Sequence, residues 1–159
     1  MISKNDRPDD KPMASLSDFF CFALYSTSLE LTKLYRVLLK ELRLTYPQYL
    51  VMVVLWEQDH LTVSELGRTL HLDSGTLTPL LKRLEKMGLI KRERNPEDER
   101  KVVVSLKRAG DNLRSKARAL PRAIICAIGM SSKDAAQLQK MILNARDHVR
   151  AYRKDTDPN

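Results

Sequence analysis

The sequence predicts a mainly α-helical fold interrupted by one β-hairpin, with long helices toward both chain ends. Three observations carry this. Apolar residues recur at helical spacing through most of the 159 residues. One β-branched run, Lys101-Val-Val-Val-Ser-Leu106, breaks that period and is separated from Leu89-Ile-Lys-Arg-Glu-Arg94 by a polar Asn-Pro turn. Capping residues divide the helical stretches into separate pieces.

Met1 to Pro12 is charged and proline-bearing, without the apolar core of a signal peptide. Residues 1–13 therefore read as a disordered tail. Phe19, Phe20, Ala23, Leu24, Leu31, Leu34, Val37, Leu38 and Leu42 trace a long amphipathic first helix. It should end near Thr45-Tyr46-Pro47, because a residue before proline is pushed out of the helical region. Pro47 suits the first turn of a second helix. The apolar run Leu50 to Trp56 makes that helix a buried one, and the run is too short to span a membrane. Thr62-Val-Ser-Glu65 is a capping box that opens a short helix ending at Leu70. Asp73 or Ser74 caps the next helix, which carries Leu77, Leu80, Leu81, Leu84 and Met87 on one face and stops at Gly88. The hairpin follows, and its turn, Asn95-Pro-Glu-Asp-Glu99, looks too long for a two-residue loop. Lys107 to about Ala127 reads as one helix bent at Pro121. Ser131-Ser-Lys-Asp134 caps a last helix to about Tyr152, leaving 154–159 as a tail.

Two helices joined by the tight connection His71-Leu72-Asp73, then a hairpin, make a winged helix-turn-helix over about 47–107. The ordered chain reads as one domain, 14–153, with flanking helices over about 14–45 and 108–153. Their apolar faces are wider than one small domain requires. Packing on their own chain is one use for them. Helix-turn-helix readers commonly act as two-fold dimers, which favours dimerisation helices in a homodimer.

A formal net charge of +8 favours a polyanionic partner. The sequence has no Cys-x-x-Cys, no His-rich cluster and no glycine-rich phosphate loop, so neither a metal nor a cofactor is expected. Two cysteines without a signal peptide point to a reducing cytoplasm.

The second helix of the pair is the candidate recognition helix. With its leucines inward, the opposite face shows Gly75, Thr78, Pro79, Lys82, Arg83 and Lys86. Ser74 and Thr76 lie at its N-terminus, where free backbone N–H groups can meet phosphates. Lys82 and Arg83 suit phosphate or guanine contacts. Pro79 would cost about 3 kcal/mol inside an ordinary helix, so it either kinks this one or shapes its exposed face. At the hairpin tip, Arg100 could enter a narrow minor groove with Asp98 bracing it by a salt bridge. Spacing alone favours a solvated turn with surface ion pairs.

Cys21, in Asp18-Phe-Phe-Cys-Phe-Ala-Leu-Tyr25, is either a small buried hydrophobe or a reactive thiol. Only the thiolate is the reactive form, and no Lys, Arg or His adjoins Cys21 in sequence, so help must come from the fold. Tyr25 lies at i+4 on the same helical face. Tyr35 is on that face too, but about 21 Å further along a straight helix, within reach of Cys21 only across a second chain.

Leu72-Asp-Ser-Gly-Thr-Leu-Thr-Pro-Leu-Leu-Lys-Arg-Leu-Glu85, Gly88-Leu-Ile, and Asp98-Glu-Arg100 ahead of Val103-Val-Ser-Leu resemble the MarR family of winged-helix regulators. With Phe20-Cys21-Phe-Ala-Leu-Tyr25 and Leu44-Thr-Tyr-Pro-Gln-Tyr49, the chain resembles its organic hydroperoxide regulator (OhrR) branch over about Leu16 to Tyr152. The resemblance implies a homodimeric repressor that leaves double-stranded operator DNA when an organic hydroperoxide oxidises Cys21. It implies that Arg100 enters the minor groove with Asp98 as its brace, and that Tyr25 and Tyr35 place hydroxyls by the reactive sulfur across the dimer. It also implies that Cys126 matches the distal cysteine of a two-cysteine class and pairs with Cys21 of the other subunit. A core role for Cys126 would leave a small-molecule thiol to cap Cys21. The competing functions are a MarR-type repressor gated by a reversible aromatic ligand, a thiol peroxidase and a non-specific DNA binder.

Overall fold

A computed structural model describes residues 15–156. The expected tail 1–13 lies outside the described residues. The described chain clusters into two compact units that divide between Lys107 and Arg108. The first unit closes its own core. Leu39, Val51, Met52, Leu55, Leu66, Leu77, Leu81, Leu84, Ile90 and Val104 are all buried.

In the first unit a 3-10 turn, Leu16–Asp18, leads into α1 (Phe20–Leu38). The sequence places the end of this helix near Thr45, but it stops at Leu38 and the chain turns tightly through Arg43, whose φ is +55°. The cause is packing. Leu39, Leu42 and Leu44 are all buried, and at about 100° per residue a continuous helix would swing Leu44 well away from Leu39. α2 (Tyr46–Glu57) begins with Pro47 in its first turn. Its Thr45 cap donates a backbone N–H to Gln48 Oε1 at 2.9 Å, a capping arrangement not anticipated from the sequence.

β1 (Leu61–Thr62) is followed by α3 (Val63–Leu70), which opens on the predicted capping box. The Glu65 N–H donates to Thr62 Oγ1 at 3.2 Å and the Thr62 N–H to Glu65 Oε2 at 2.7 Å. His71 ends α3 in the left-handed conformation, and α4 (Ser74–Lys86) follows. Leu77, Leu81 and Leu84 are buried as expected, while Met87 turns outward.

β2 (Ile90–Asn95) and β3 (Asp98–Leu106) form the wing, and β1 adds to the other side of β3, giving the order β1-β3-β2. The hairpin corrects the long-turn expectation. Asn95 pairs with Asp98, so it closes on two residues, Pro96 and Glu97. The Glu97 N–H donates to Asn95 Oδ1 at 2.8 Å, the turn habit of asparagine. The next pair is Arg94 with Val102, so Glu99, Arg100 and Lys101 bulge from β3 at the tip. The extra length lies in the strand rather than in the loop.

The second unit is helical. The expected single helix from Lys107 is two, α5 (Arg108–Ala117) and α6 (Leu120–Ile128). Pro121 sits in the first turn of α6, where its missing N–H costs nothing, instead of bending a helix interior. Ser131 caps α7 (Ser132–Thr156) by accepting the Asp134 N–H at 3.2 Å. α7 takes in 154–156, which the sequence assigned to a tail. Thr156 Oγ1 donates to the Tyr152 carbonyl at 2.6 Å. α7 buries no residue, and Met141, Val149 and Tyr152 are strongly exposed. Among the described residues no helix is long and apolar enough to cross a membrane.

Candidate nucleic-acid interface and thiol site

α4 shows the predicted exposed face. Ser74, Gly75, Thr76, Pro79, Lys82, Arg83 and Lys86 are exposed and Thr78 is half-buried. The helix runs unbroken through Pro79.

Of the two expected caps, Asp73 is the one that closes the N-terminus, accepting the Thr76 backbone N–H at Oδ1 and the Thr76 hydroxyl at Oδ2, both at 2.9 Å. These bonds hold the Asp73 carboxyl below its ordinary range, so it is ionised at neutral pH. A carboxylate thus occupies the place where the sequence put free N–H groups for phosphate. Ser74 and Thr76 stand beside a negative charge, and the cationic groups of the face, Lys82, Arg83 and Lys86, lie further along.

At the wing tip Arg100 and its neighbours are exposed. Asp98 does brace this segment, but not by the expected ion pair with the Arg100 guanidinium. Its Oδ1 accepts the Arg100 backbone N–H at 3.2 Å and its Oδ2 pairs with Lys101 Nζ at 3.4 Å. The bulge brings the backbone of Arg100 to Asp98 and leaves the guanidinium to solvent.

Sequence reading missed a link between α4 and the wing. Arg92, on β2, donates from Nε and Nη2 to Glu85 Oε2 at 2.9 and 2.7 Å, and its backbone N–H donates to Glu85 Oε1 at 3.1 Å. The Arg92 hydrogen bond holds the Glu85 carboxyl below its usual range. One signal was available: a glutamate in the last turn of a helix sits at the wrong end of the macrodipole and calls for a cation.

Cys21 is exposed and is the second residue of α1. Phe19 caps that helix without any side-chain oxygen, and no acidic residue lies in its first turn. The positive end of the helix therefore has no side-chain cap. Leu16, Phe19, Phe20 and Tyr25, near it in sequence, are exposed. Tyr25 lies one turn on, its ring 6.4 Å from that of Phe22.

Tyr35 is held elsewhere. It stacks on Tyr46 with ring centroids 4.1 Å apart and tilts against Tyr49 at 5.9 Å, and Tyr49 meets Trp56 edge-on at 6.2 Å. Burial first, then the neighbouring phenols Tyr46 and Tyr49, push the Tyr35 hydroxyl up to about 12, so it is a committed proton donor. α1 is continuous from Cys21 to Tyr35, which separates them by about 21 Å within one chain. Cys126, on α6 in the second unit, is also exposed. Neither thiol is buried in the chain, contrary to the core-hydrophobe alternative. Among the described residues no group of three or more His, Cys, Asp or Glu could hold a metal ion.

Residues 33–117 match the family model described as transcriptional regulator SarA/Rot. The chain is 48% identical over 127 residues to the organic hydroperoxide resistance transcriptional regulator of Bacillus subtilis, covering 80% of this chain and 86% of that one. It is similar to reduced AbfR bound to DNA, with 31% identity and a TM-score of 0.71, covering 84% of this chain and 94% of that one. It is similar also to the disulfide-formed state of AbfR, a Staphylococcus epidermidis protein, at 31% identity and TM-score 0.59, covering 86% and 91%.

Proposed function

Since this chain belongs to the MarR-type winged-helix transcriptional regulators, in the branch of the organic hydroperoxide resistance regulators, we propose that it is a repressor whose DNA grip is released by oxidation of Cys21. Membership makes it a regulator and not a thiol peroxidase. The observation that carries the redox reading is the position of Cys21, exposed at an uncapped helix N-terminus with exposed apolar residues near it in sequence.

Reduced, the protein binds operator DNA as a homodimer. Two α4 helices enter successive major grooves about 34 Å apart, with Ser74, Thr76 and Thr78 toward base edges and Lys82 and Arg83 toward phosphates or guanine. Arg100 enters the minor groove from the wing, and Asp98 fixes its backbone. The exposed apolar faces of α1 and α7 form the dimer contact.

In the switch, the Cys21 thiolate attacks the distal oxygen of a hydroperoxide. The O–O bond breaks, the alkoxide leaves and takes a proton to become an alcohol, and the sulfur becomes a sulfenic acid. First-turn N–H groups of α1 and the hydroxyls of Tyr25 and of the partner's Tyr35 stabilise the negative sulfur. Cys126 of the partner subunit then attacks the sulfenic sulfur, water leaves, and an intersubunit disulfide forms. The reduced DNA-bound and disulfide states named for AbfR support such a sequence of states. The bond shifts the two recognition helices out of register with their half-sites.

The test is binding to the DNA upstream of the protein's own gene, with and without cumene hydroperoxide, for wild type and Cys21→Ser. Release by wild type and retention by Cys21→Ser is the expected result. Equal release by both would sink the redox reading in favour of a ligand-gated repressor.

A further inference from the structure

We propose that Glu85 and Arg92 are positioning residues that aim the wing from the recognition helix, so that major-groove and minor-groove contacts form as one unit. The inference rests on the DNA-reading assignment above and adds a mechanical element to it.

A wing strand held only at its root can swing. β3 is tied further out by β1, whose Leu61 and Thr62 pair with Val104 and Val103, the residues opposite Arg92 and Glu93, whereas β2 is an outer strand of the sheet order β1-β3-β2. Here the root is fixed by main-chain bonds. The Leu89 N–H donates to the Leu84 carbonyl at 3.1 Å, and the Lys107 N–H donates to the Leu89 carbonyl at 2.9 Å. Ile90 is buried behind them. Arg92 is the next residue on the same face of β2 as Ile90. From there the tip at Asn95 stands about 10 Å further out. Arg92 therefore grips the ribbon midway between its root and its tip.

The grip is of the rigid kind. Two guanidinium N–H groups share one carboxylate oxygen and the Arg92 backbone N–H takes the other, so both the side chain and the strand itself are tied to Glu85. The pair is partly shielded, with the Arg92 and Glu85 side chains 23% and 34% exposed. Glu85 is otherwise badly placed, since a carboxylate in the last turn of α4 opposes the helix dipole. A residue chosen for helix stability there would be basic, as Arg83 and Lys86 are. Glu85 lies on the same helix as Lys82 and Arg83, so any tilt of α4 reaches Arg100 through this connection.

The experiment is a set of double-mutant cycles on operator affinity with the full-length reduced protein. Arg100→Ala in the wild-type background is expected to weaken binding on the order of tenfold. In Glu85→Gln and in Arg92→Lys, the same Arg100→Ala change should cost at least about threefold less, because an unaimed wing has less to lose. Arg92→Lys keeps the charge and loses the fork, and guards against reading a simple charge effect. Lys82→Ala is the control, and its cost should be the same in every background. Melting temperatures taken alongside confirm that each variant is folded at the assay temperature. An equal cost of Arg100→Ala in all backgrounds overturns the inference while leaving the regulator assignment intact. An absence of operator binding by wild type is instead a failure of that assignment.

Discussion

The Asp73 carboxylate holds Thr76 by two bonds, one from its backbone N–H and one from its hydroxyl, each 2.9 Å long. The hydroxyl hydrogen is therefore engaged, which leaves Thr76 Oγ1 its acceptor lone pairs for a further partner. Pro79 has no N–H, so the Gly75 carbonyl one turn before it lacks its helical donor and adds a further acceptor. The leading end of α4 is suited to base amino groups, cytosine N4 or adenine N6, and not to phosphate. Thr76→Val should relax preference at one base pair of each half-site and leave the salt dependence of binding unchanged. Binding to a panel of single-substitution operators at two salt concentrations checks this. A reduced salt slope would mean that Thr76 touches phosphate.

The same carboxylate predicts the response to acid. Asp73, Glu65 and Glu85 are all held below their ordinary values, each chiefly by a hydrogen bond, from Thr76, Thr62 and Arg92 respectively. A depressed folded-state pKa contributes stability above the unfolded value and loses it as pH falls through the folded one. The melting temperature should therefore hold from neutral pH down to the unfolded carboxylate range and decline below it. Asp73→Asn and Glu65→Gln should each flatten that decline. Melting curves at a series of acidic pH values decide, and unchanged slopes in both variants would place the sensitivity elsewhere.

Tyr35 predicts the opposite limb. Its hydroxyl, raised to about 12 by burial and by Tyr46 and Tyr49, ionises later than a free phenol. For an acid raised by folding, the stability is complete below the unfolded value near 10 and is lost as pH climbs toward 12. An ultraviolet titration of the native protein should show late-titrating phenols, since Tyr46 and Tyr49 are raised by burial too, and the latest of them should be lost in Tyr35→Phe. Tyr46→Ala should bring the Tyr35 titration back toward the ordinary range, since it removes the ring stacked at 4.1 Å.

How much of this was legible in the sequence depended on the range of the interaction concerned. The capping box Thr62–Glu65, the Asp73 cap and the buried leucines of α4 were readable because each is set within a turn or two of helix. The early end of α1 was not, because Leu39, Leu42 and Leu44 choose their conformation by what they bury, a tertiary demand. The Pro96–Glu97 turn was misjudged because the slip of register lies in β3, where strand propensity is silent. The Tyr35–Tyr46–Tyr49 stack joins two helices and left no local mark. For Cys21, its place at an uncapped helix end required knowing where α1 begins.

Gly67 fixes the approach of the two helices of the reading pair. A Cβ there would stand 2.9 Å from the Leu72 carbonyl oxygen, a backbone atom that cannot rotate aside. Gly67→Ala would gain about 0.5–1 kcal/mol of helix propensity. Forcing the α3–α4 connection apart costs about 1–3 kcal/mol. The clash wins, and a net loss of about 1 kcal/mol should lower Tm by about 2–4 °C. Operator affinity should fall as well, because α4 moves with the connection. A Tm equal to or above that of wild type would show that the connection yields freely.

Cys126→Ser separates two ways of completing the switch. Cys21 and Cys126 are both exposed, so either can be reached by a second thiol. If the partner's Cys126 resolves the sulfenic acid, oxidised wild type should run as a covalent dimer on a non-reducing gel, and Cys21→Ser and Cys126→Ser should both run as monomers. Cys126→Ser would still consume one equivalent of hydroperoxide per chain, since the first step needs only Cys21. Without a second thiol its sulfenic acid should persist, or pass to the irreversible sulfinic form under excess oxidant. DNA release by Cys126→Ser would then require an added small thiol. A covalent dimer formed by Cys126→Ser would instead mean a Cys21–Cys21 bond, and the assignment of Cys126 as the resolving residue would fall.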